Sequence, residues 1–238
     1  MKFKNKFNEI EVQKYWDKVS DIYIDFNDKV SDAHDQRFVE AMKHLALKSE
    51  LKLLNVWSRD GGLIPYLRKK KPDVKLTNYE LSPKLCKIAK KIHPNEKFIQ
   101  GSLLKFPFKD KEFDTIISLE TLEHTAEPLT FIKECNRVLK KNGQLIMSLP
   151  PAAVEYTSII ADLFNIGHGE GPHKFQSSKN VKKMLKLSGF KLIKHKGTVL
   201  VPVGPNFLKN ISNWFEKHIQ NTFLKEFGIR QFYICKKK

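Results

Sequence analysis

The sequence predicts an α/β fold in which a mostly parallel β-sheet carries helices on both faces and follows a helical N-terminal extension. Five short apolar segments alternate with amphipathic segments between residues 51 and 150, which is typical of parallel sheets. Apolar residues recur at helical spacing within the first 50 residues. The 238 residues are 41% hydrophobic, which suffices for the core of one large domain with an extension.

The N-terminal extension, residues 1–50, is predicted to be helical and is a candidate lid over the main domain. Its first helical pattern consists of Val12, Tyr15, Trp16, Val19, Ile22 and Tyr23. Its second consists of Phe38, Met42, Leu45 and Ala46. The main domain is predicted over residues 51–238, with an irregular insertion at about residues 152–178.

The main domain begins with five predicted apolar strands separated by helices. The strands are LKLLNVW (51–57), VKLTNYEL (74–81), KFIQGS (97–102), FDTIISLE (113–120) and GQLIMSLP (143–150), and a closing strand is IRQFYICKK (229–237). Helices are predicted from Ile64 to Lys70, from Ser82 to Ile92, from Pro128 to Gly143 and from Ser178 to Phe190. Ser82 and Ser178 are candidate N-caps, and Gly143 is a candidate C-terminal stop.

The chain is strongly basic, with a formal net charge of +17. Such a charge raises the question of nucleic-acid or anionic-membrane binding. Only five of the 43 cationic residues are arginine, the residue best suited to phosphate and base recognition, and the lysines are spread along the whole chain. We therefore favour a lysine-rich solvated surface and predict no nucleic-acid partner.

Simple counts argue against other classes of protein. No apolar run approaches the ~20 residues that a membrane span needs, and the first residues lack the apolar region of a secretory signal. The three cysteines, Cys86, Cys135 and Cys235, are odd in number and far apart, which argues against a disulfide framework and a zinc site. We expect a cytoplasmic protein.

Ligands of an open parallel sheet bind at the carboxyl ends of its strands, so the loops there carry the candidate site. The first such loop runs from Trp57 to Gly62, and the second strand ends at Glu80. Glu80 lies 19 residues beyond Gly61. This is close to the ~20-residue offset at which an acidic side chain binds a ribose in dinucleotide folds. The alternative for Glu80 is a solvent-facing helix cap.

The loop after the fourth strand, SLETLEHTAEP (118–128), combines acidic residues with a histidine. Glu120, Glu123 and His124 lie within one turn, an arrangement suited to acid–base chemistry. Alternatively, this is a helix N-terminal turn in which the acids complement the helix dipole.

Four short motifs lie close together between residues 107 and 143. They are Pro107–Phe108, the strand opening Phe113–Asp114, Leu122–Glu123–His124 followed by Pro128, and Arg137–Val138–Leu139–Lys140 followed by Gly143. In these motifs the chain closely resembles the class I S-adenosylmethionine-dependent methyltransferases of the type 11 group, which includes the ubiquinone and menaquinone methyltransferases. The resemblance covers residues 50–150 and continues loosely to residue 200.

The resemblance implies a Rossmann-like sheet of seven strands, mostly parallel, whose last strand is antiparallel. It also implies S-adenosylmethionine as cofactor and methyl transfer as activity. Methyl transfer mainly requires alignment of the acceptor, with a base where the acceptor is a hydroxyl or an amine. By the same resemblance the adenosine part of the cofactor is assigned to Glu80, Leu81, Ser102 and Leu103, and the methionine part to Leu119 and Glu120.

The first loop departs from the family pattern D-x-G-x-G-x-G, which falls here on Asn55, Trp57, Arg59 and Gly61. Glycine permits a positive φ and a close approach of the backbone to the ligand. Trp57 is expected to resist that conformation and to occupy space meant for the methionine part. At the third loop, which follows the third strand from Gly101 to Phe108, Ser102 stands where an aspartate commonly holds the adenine.

Two accounts of this departure stay open. In the first, the loop takes another backbone path and still binds the cofactor through Asp60, Gly61, Gly62 and Glu80. Asn55 and Trp57 are further candidate contacts. In the second, the site is remodelled and the protein is a non-catalytic binding or scaffold protein. We adopt the first account: a methyltransferase that uses S-adenosylmethionine and acts on a small-molecule acceptor.

The acceptor side is predicted to involve histidines. The segment GHGEGPHKF (167–175) offers His173 as a candidate catalytic base, which His168 or Glu170 could orient. His124 is the second candidate catalytic residue. A metal site in this segment is an alternative, but the ligand spacing is not diagnostic and no metal is predicted.

A late amphipathic segment carries Phe207, Trp214, Phe215, Phe223 and Phe227. These aromatic residues predict core packing or the face of a homodimer. The alternative is peripheral contact with an anionic membrane, which would suit a lipid or lipid-linked sugar as acceptor.

Overall fold

Seven strands form one sheet in the computed structural model of the chain. The structure describes residues 3–29, 31–46, 48–152, 155, 171–198, 214, 218, 220, 222–228 and 230–238. The strand order is β3-β2-β1-β4-β5-β7-β6, in which β7 is antiparallel to both of its neighbours and the other neighbouring pairs are parallel. The predicted α/β class, the Rossmann-like seven-stranded sheet and its antiparallel last strand are therefore confirmed.

The five strands predicted before residue 150 coincide with β1 to β5. The strands are β1 (Lys52–Val56), β2 (Lys75–Glu80), β3 (Phe98–Gln100), β4 (Phe113–Leu119), β5 (Leu139–Leu149), β6 (Phe190–Thr198) and β7 (Arg230–Lys237). The helices are α1 (Glu9–Lys29), α2 (Ser31–His44), α3 (Ile64–Lys70), α4 (Pro83–Ile92), α5 (Pro128–Val138) and α6 (Ser178–Leu187), with 3-10 turns at Leu122–His124 and Phe223–Phe227.

Alternate residues of each central strand point to opposite faces of the sheet, so the protein has an apolar cluster on each face. On one face Leu54, Ile116 and Leu145 pack in a cluster with α1, α5 and α6. On the other face Leu53 and Ile117 pack in a cluster with α2, α3 and α4. Burial on both faces explains why β1 and β4 appear in the sequence as continuous apolar runs.

Two predicted helix ends lie too far along the chain: α6 ends at Leu187 rather than at Phe190, and the end of α5 differs more. Helix α5 ends at Val138 rather than at Gly143. Leu139 already pairs with Phe113 as the first residue of β5, and both side chains are buried. Tertiary pairing with β4 thus ends the helix before the glycine is reached.

Serine hydroxyls cap two helices. Ser82 accepts a hydrogen bond from the backbone N–H of Leu85 and caps α4, as predicted. The N-cap of α6 is Ser177 rather than the predicted Ser178. The hydroxyl of Ser178 instead forms a hydrogen bond with the hydroxyl of Tyr233, at 2.8 Å.

The N-terminal helices pack against the main sheet's own helices, α1 against α4 and α2 against α3. Of the predicted insertion, the structure describes Ala152, Glu155 and residues 171–178, so His168 and Glu170 lie outside the described residues, as do Phe207 and Phe215. None of the described helices is long and apolar enough to cross a membrane.

Candidate functional site

The candidate site lies where β1, β2 and β4 end side by side. Because these strands are parallel neighbours, their carboxyl ends meet at one edge of the sheet. This edge carries the first loop after β1, Glu80 at the end of β2 and Glu120 directly after β4. Helix α1 covers this edge and contributes Trp16 and Tyr23 to its buried wall.

The backbone of the first loop has a positive φ at three alternating residues. The values are 57° at Trp57, 51° at Arg59 and 92° at Gly61. These are the three glycine positions of the family pattern, so the expected alternative backbone path is wrong: the loop keeps a glycine-type conformation with two non-glycine residues in it. Each such residue costs about 1–2 kcal/mol.

The indole of Trp57 is buried between α1 and the turn after β4. Its ring centroid lies 5.4 Å from that of Trp16 and 5.0 Å from that of His124, in edge-to-face geometry. Edge-to-face aromatic pairs are worth about 0.5–1.5 kcal/mol each beyond their burial. This packing offsets the strain of the left-handed backbone at Trp57.

The guanidinium of Arg59 lies in an aromatic box formed by Trp16, Tyr23 and Trp57. Its carbon lies 4.8 Å from the ring centroid of Trp16, 5.0 Å from that of Trp57 and 5.8 Å from that of Tyr23. Nη2 donates a hydrogen bond of 3.0 Å to the carbonyl oxygen of Glu120. Arg59 therefore connects helix α1, the first loop and the end of β4.

Glu80 is fully buried at the end of β2. Its carboxyl oxygens accept hydrogen bonds from the backbone N–H groups of Arg59, at 2.6 Å, and Ser82, at 2.9 Å. Burial raises the pKa of Glu80 from 4.5 to about 7, although these hydrogen bonds oppose the shift. The interpretation as a solvent-facing cap is therefore wrong. Because the pKa of Glu80 is raised in the folded protein, proton binding to its carboxylate favours folding. This contribution is fully present below about pH 4.5 and is lost as the pH rises through about 7.

The side chain of Glu120 forms ion pairs with two arginines, Arg37 from α2 and Arg230 from β7. All three side chains are largely buried, and Glu120 itself has a φ of 53°. Together with Arg59 on its carbonyl oxygen, three of the chain's five arginines converge on this residue. Sequence analysis did not find the roles of Arg37 and Arg230, because neither residue belongs to a motif.

The third loop is covered by acidic residues of α1. The backbone N–H of Leu103 donates a hydrogen bond of 2.6 Å to Glu9. Ser82 and Lys84 donate hydrogen bonds to Asp17, at 2.5 Å from the Ser82 hydroxyl and 3.2 Å from the Lys84 backbone N–H. The Leu103 N–H, which the resemblance assigns to the adenine edge, therefore donates its hydrogen bond to a residue of α1 in this conformation.

Other candidate cofactor residues lie in or near the same edge. The Asn55 side chain donates a hydrogen bond of 3.0 Å to Asn78, and Asp60 accepts one of 3.3 Å from Gly62 N. The remaining positions are the buried Leu81 and Leu119, Ser102, whose hydroxyl accepts from the N–H of Leu104 at 3.0 Å, and Gly61, where an added Cβ would lie 2.6 Å from the His93 ring.

The two candidate catalytic histidines are neighbours, with ring centroids 6.1 Å apart. His124 is buried, and its Nδ1 donates a hydrogen bond of 3.1 Å to the carbonyl oxygen of Pro172. Burial, reinforced by the charge of Arg59, lowers the pKa of His124 to about 3. Such a pKa makes His124 a weak base. His173 is less buried than His124.

The residues of the site suit an adenosyl cofactor chemically, but the conformation is closed. Buried polar atoms at the first loop, Trp57 Nε1, Ser58 Oγ and Arg59 Nε, have no hydrogen-bond partner among the described residues. They surround a cavity of about 20 Å³, also lined by Asn55 and Leu119. Pockets for ligands of this size are usually about 300–1,000 Å³. Binding of the cofactor therefore requires movement of α1 or of the loop side chains.

A group of three or more histidine, cysteine, aspartate or glutamate side chains placed to hold a metal ion is absent from the described residues. The three cysteines are buried and free.

Comparison with known proteins gives a family match over the central part of the chain. The family described as "Methyltransferase domain" matches residues 55–147. The demethylmenaquinone methyltransferase of Thermotoga maritima is 27% identical over 63% of this chain and 67% of that protein. The chain spans 43% of the corresponding enzyme of Chlorobaculum tepidum, at 35% identity over 44% of this chain.

Two further similarities extend over more of the chain. An uncharacterized protein of Methanocaldococcus jannaschii is 30% identical over 72% of this chain and 84% of that protein. A crystal structure from Thermotoga maritima, described as an S-adenosylmethionine-dependent methyltransferase and possible histamine N-methyltransferase, superimposes with a TM-score of 0.71. It covers 95% of this chain and 100% of that one at 18% identity, so it supports the fold alone.

Proposed function

The chain belongs to the class I S-adenosylmethionine-dependent methyltransferases of the type 11 group, and from this we propose that it transfers a methyl group to a small-molecule acceptor. One observation carries the proposal: the first loop has the positive φ values of a glycine loop beside the buried carboxyl of Glu80. A remodelled scaffold would have no need to keep two strained residues, Trp57 and Arg59, at these positions.

The sulfonium of the donor supplies the activated methyl group when it is bound. In our proposal Glu80 would accept hydrogen bonds from the ribose hydroxyls. The backbone N–H of Leu103 would contact the adenine once its hydrogen bond to Glu9 is broken. Leu81 packs on the adenine, and Glu120 faces the methionine part.

The N-terminal extension acts as a lid in this proposal. Its contacts with the site come from α1: the Glu9–Leu103 hydrogen bond, the hydrogen bonds of Asp17 with Ser82 and Lys84, and the packing of Trp16 and Tyr23 around Trp57 and Arg59. Because these contacts come from one helix, α1 can leave as a unit and expose the whole site.

We propose that the acceptor binds at the same edge of the sheet as the cofactor, beyond the carboxyl end of β5. A cavity of about 540 Å³ lies beyond the end of β5 and is lined by Pro151, Ser177, Lys182 and Glu226, among others. Its size suits a small molecule. His173 is the proposed base, and we give His124 a packing role because of its low pKa.

A quinol-like lipid is one acceptor class that the demethylmenaquinone methyltransferase relatives support. Exposed Trp214 and Phe223 would then contact an anionic membrane peripherally. A lipid-linked sugar acceptor and a homodimer through the same aromatic segment remain alternatives within this proposal.

Calorimetry with S-adenosylmethionine and S-adenosylhomocysteine tests the proposal. We expect both to bind the wild-type protein, and Glu80→Ala to weaken binding at least ~100-fold, because hydrogen bonds to a charged group are worth about 1.5–3 kcal/mol each. Glu80→Gln guards against loss of the fold, since it keeps one acceptor for the backbone N–H groups. The control Glu112→Ala, a half-buried residue directly before β4 at the opposite end of the strand from the site, is expected to leave the affinity unchanged. Absence of binding at millimolar ligand contradicts the proposal.

Donor affinity is expected to rise with pH through about 7. Burial raises the pKa of Glu80 to about 7. An ionised carboxylate accepts hydrogen bonds from hydroxyls more strongly than a protonated one. Below that pKa the affinity should fall about tenfold per pH unit, as the ionised fraction does. Titrations between about pH 5.5 and about pH 8.5 measure this. A flat profile in the wild type, or the same slope in Glu80→Gln, would show that another group is responsible.

The second candidate function is that of a non-catalytic binding protein, which the small cavity and the side chains in the first loop favour. It predicts no binding of either adenosyl compound and a lid that stays closed. Hydrogen exchange of the α1 amides with and without S-adenosylhomocysteine distinguishes the two functions, because only a methyltransferase lid is expected to lose protection on binding.

A further inference from the structure

The guanidinium of Arg59 occupies the aromatic box of the candidate site, and the nearby Glu80 carboxylate, which the Arg59 backbone N–H contacts, is not within ion-pair distance of it. Arg59 is only 7% exposed, and the described part of the chain gives its guanidinium no ion pair. Its hydrogen bonds go to the Glu120 carbonyl at 3.0 Å and, weakly, to the Tyr23 hydroxyl at 3.5 Å. Buried charges are usually paired, so this one depends mainly on the three ring faces.

We propose that the box of Trp16, Tyr23 and Trp57 is a binding site for an onium group, a sulfonium or a methylated ammonium, and that Arg59 is its resident cation while no ligand is bound. This inference rests on the proposed function, because methyl transfer is the chemistry that brings onium groups to this edge of the sheet.

Ring faces suit an onium group better than they suit other ligands. A methylated cation has few or no N–H groups to satisfy and is attracted by the ring quadrupoles, at about 2 kcal/mol or more when desolvated. The box supplies three rings within 6 Å of one point, from 4.8 to 5.8 Å. An anionic group would face the negative faces of these three rings, which repel it.

Exchange of one cation for another leaves the charge of the site unchanged. Glu120 already pairs with Arg37 and Arg230, so an additional cation beside a retained Arg59 would be poorly tolerated. If the Arg59 side chain moves out as the ligand cation moves in, this repulsion does not arise. The hydrogen bond of the Arg59 backbone N–H to Glu80 involves no side-chain atom and can persist through the exchange.

The test uses choline and its uncharged isostere 3,3-dimethylbutan-1-ol as probes of the full-length protein. Binding is measured by calorimetry and by tryptophan fluorescence in the wild type, Arg59→Gly and Arg59→Lys. Glycine suits the φ of 51° at this position, so Arg59→Gly is the variant most able to keep the loop. We expect Arg59→Gly to bind choline at least about tenfold more tightly than the wild type does. It should also bind choline at least about tenfold more tightly than it binds the isostere. Arg59→Lys keeps a cation in the box, so its affinity for choline should resemble that of the wild type.

A second variant tests the rings. Adding Trp16→Leu to Arg59→Gly keeps an apolar side chain on α1 but removes one ring face, and should reduce the preference for choline over the isostere several-fold. Unfolding midpoints of each variant establish that the fold is kept.

Competition identifies the natural onium group. Displacement of choline from Arg59→Gly by S-adenosylmethionine, but not by the uncharged S-adenosylhomocysteine, assigns the box to the donor. Choline binding that persists beside saturating S-adenosylhomocysteine and S-adenosylmethionine assigns it to an ammonium of the acceptor.

Equal affinity of a folded Arg59→Gly protein for choline and the isostere, or no affinity for either, overturns the inference. Failure of the proposed function is a different result, because it is loss of adenosyl binding in the wild type, measured without choline.

Discussion

Glu120→Gln is expected to lower the free energy of unfolding by about 3–5 kcal/mol, because it leaves two buried arginines without their carboxylate. The ion pairs of Glu120 with Arg37 and Arg230 join α2, the end of β4 and the start of β7. Glutamine keeps the shape of the side chain and can still accept one hydrogen bond, so the loss reports the charge. Denaturant unfolding followed by circular dichroism measures it.

The matched control is Glu127→Gln, a glutamate that pairs with Lys4 at 3.6 Å and whose side chain is 37% exposed. A solvent-exposed pair of this kind is worth less than about 1 kcal/mol. Adding Arg37→Met to Glu120→Gln should recover part of the stability, because it removes one of the unpaired charges. A loss at Glu120 no larger than at Glu127 would mean that water compensates the arginines and that the site is more open than described.

The fold could be predicted from the sequence because its signals are local. The apolar runs of β1 to β5 are each visible within a few residues, and so is the serine cap of α4 at Ser82. The end of α5 was not visible, because the glycine at position 143 is a strong local signal. Pairing of Leu139 with Phe113, 26 residues away, overrides it.

The site could be predicted only in part, because many of its contacts join residues that are far apart in the sequence. The position of Glu80 follows from strand order and spacing. The pairing of Arg37 and Arg230 with Glu120 joins residues 83 and 110 positions apart, and the contact of Glu9 with Leu103 joins residues 94 apart. No periodicity or motif indicates such contacts, and they are what close the site.

The first loop shows how a local rule can be overridden by packing. A tryptophan and an arginine at glycine positions led to the expectation of a different backbone path, because a positive φ is costly for them. The structure keeps the path, and the rings of Trp16 and His124 pack on Trp57 while the aromatic box holds Arg59. Side-chain contacts worth several kcal/mol exceed a backbone cost of about 1–2 kcal/mol per residue.

The conformation of Trp57 gives the second large effect. Both Trp57→Ala and Trp57→Gly remove a buried indole, and we expect each to lower the free energy of unfolding by about 3–5 kcal/mol. At a φ of 57° alanine keeps the left-handed strain, whereas glycine does not. Trp57→Gly should therefore be about 1 kcal/mol more stable than Trp57→Ala, the reverse of the usual order.

Trp16 provides the control, because it is equally buried but lies inside α1 with helical backbone angles. There the glycine variant should be about 1 kcal/mol less stable than the alanine variant. The difference between the two pairs isolates the backbone term, since the alanine and glycine variants of each pair lose the same indole. If Trp57→Gly were instead the weaker of its pair, the first loop would not have the left-handed conformation at this residue. The strongest support for a retained cofactor loop would then be lost.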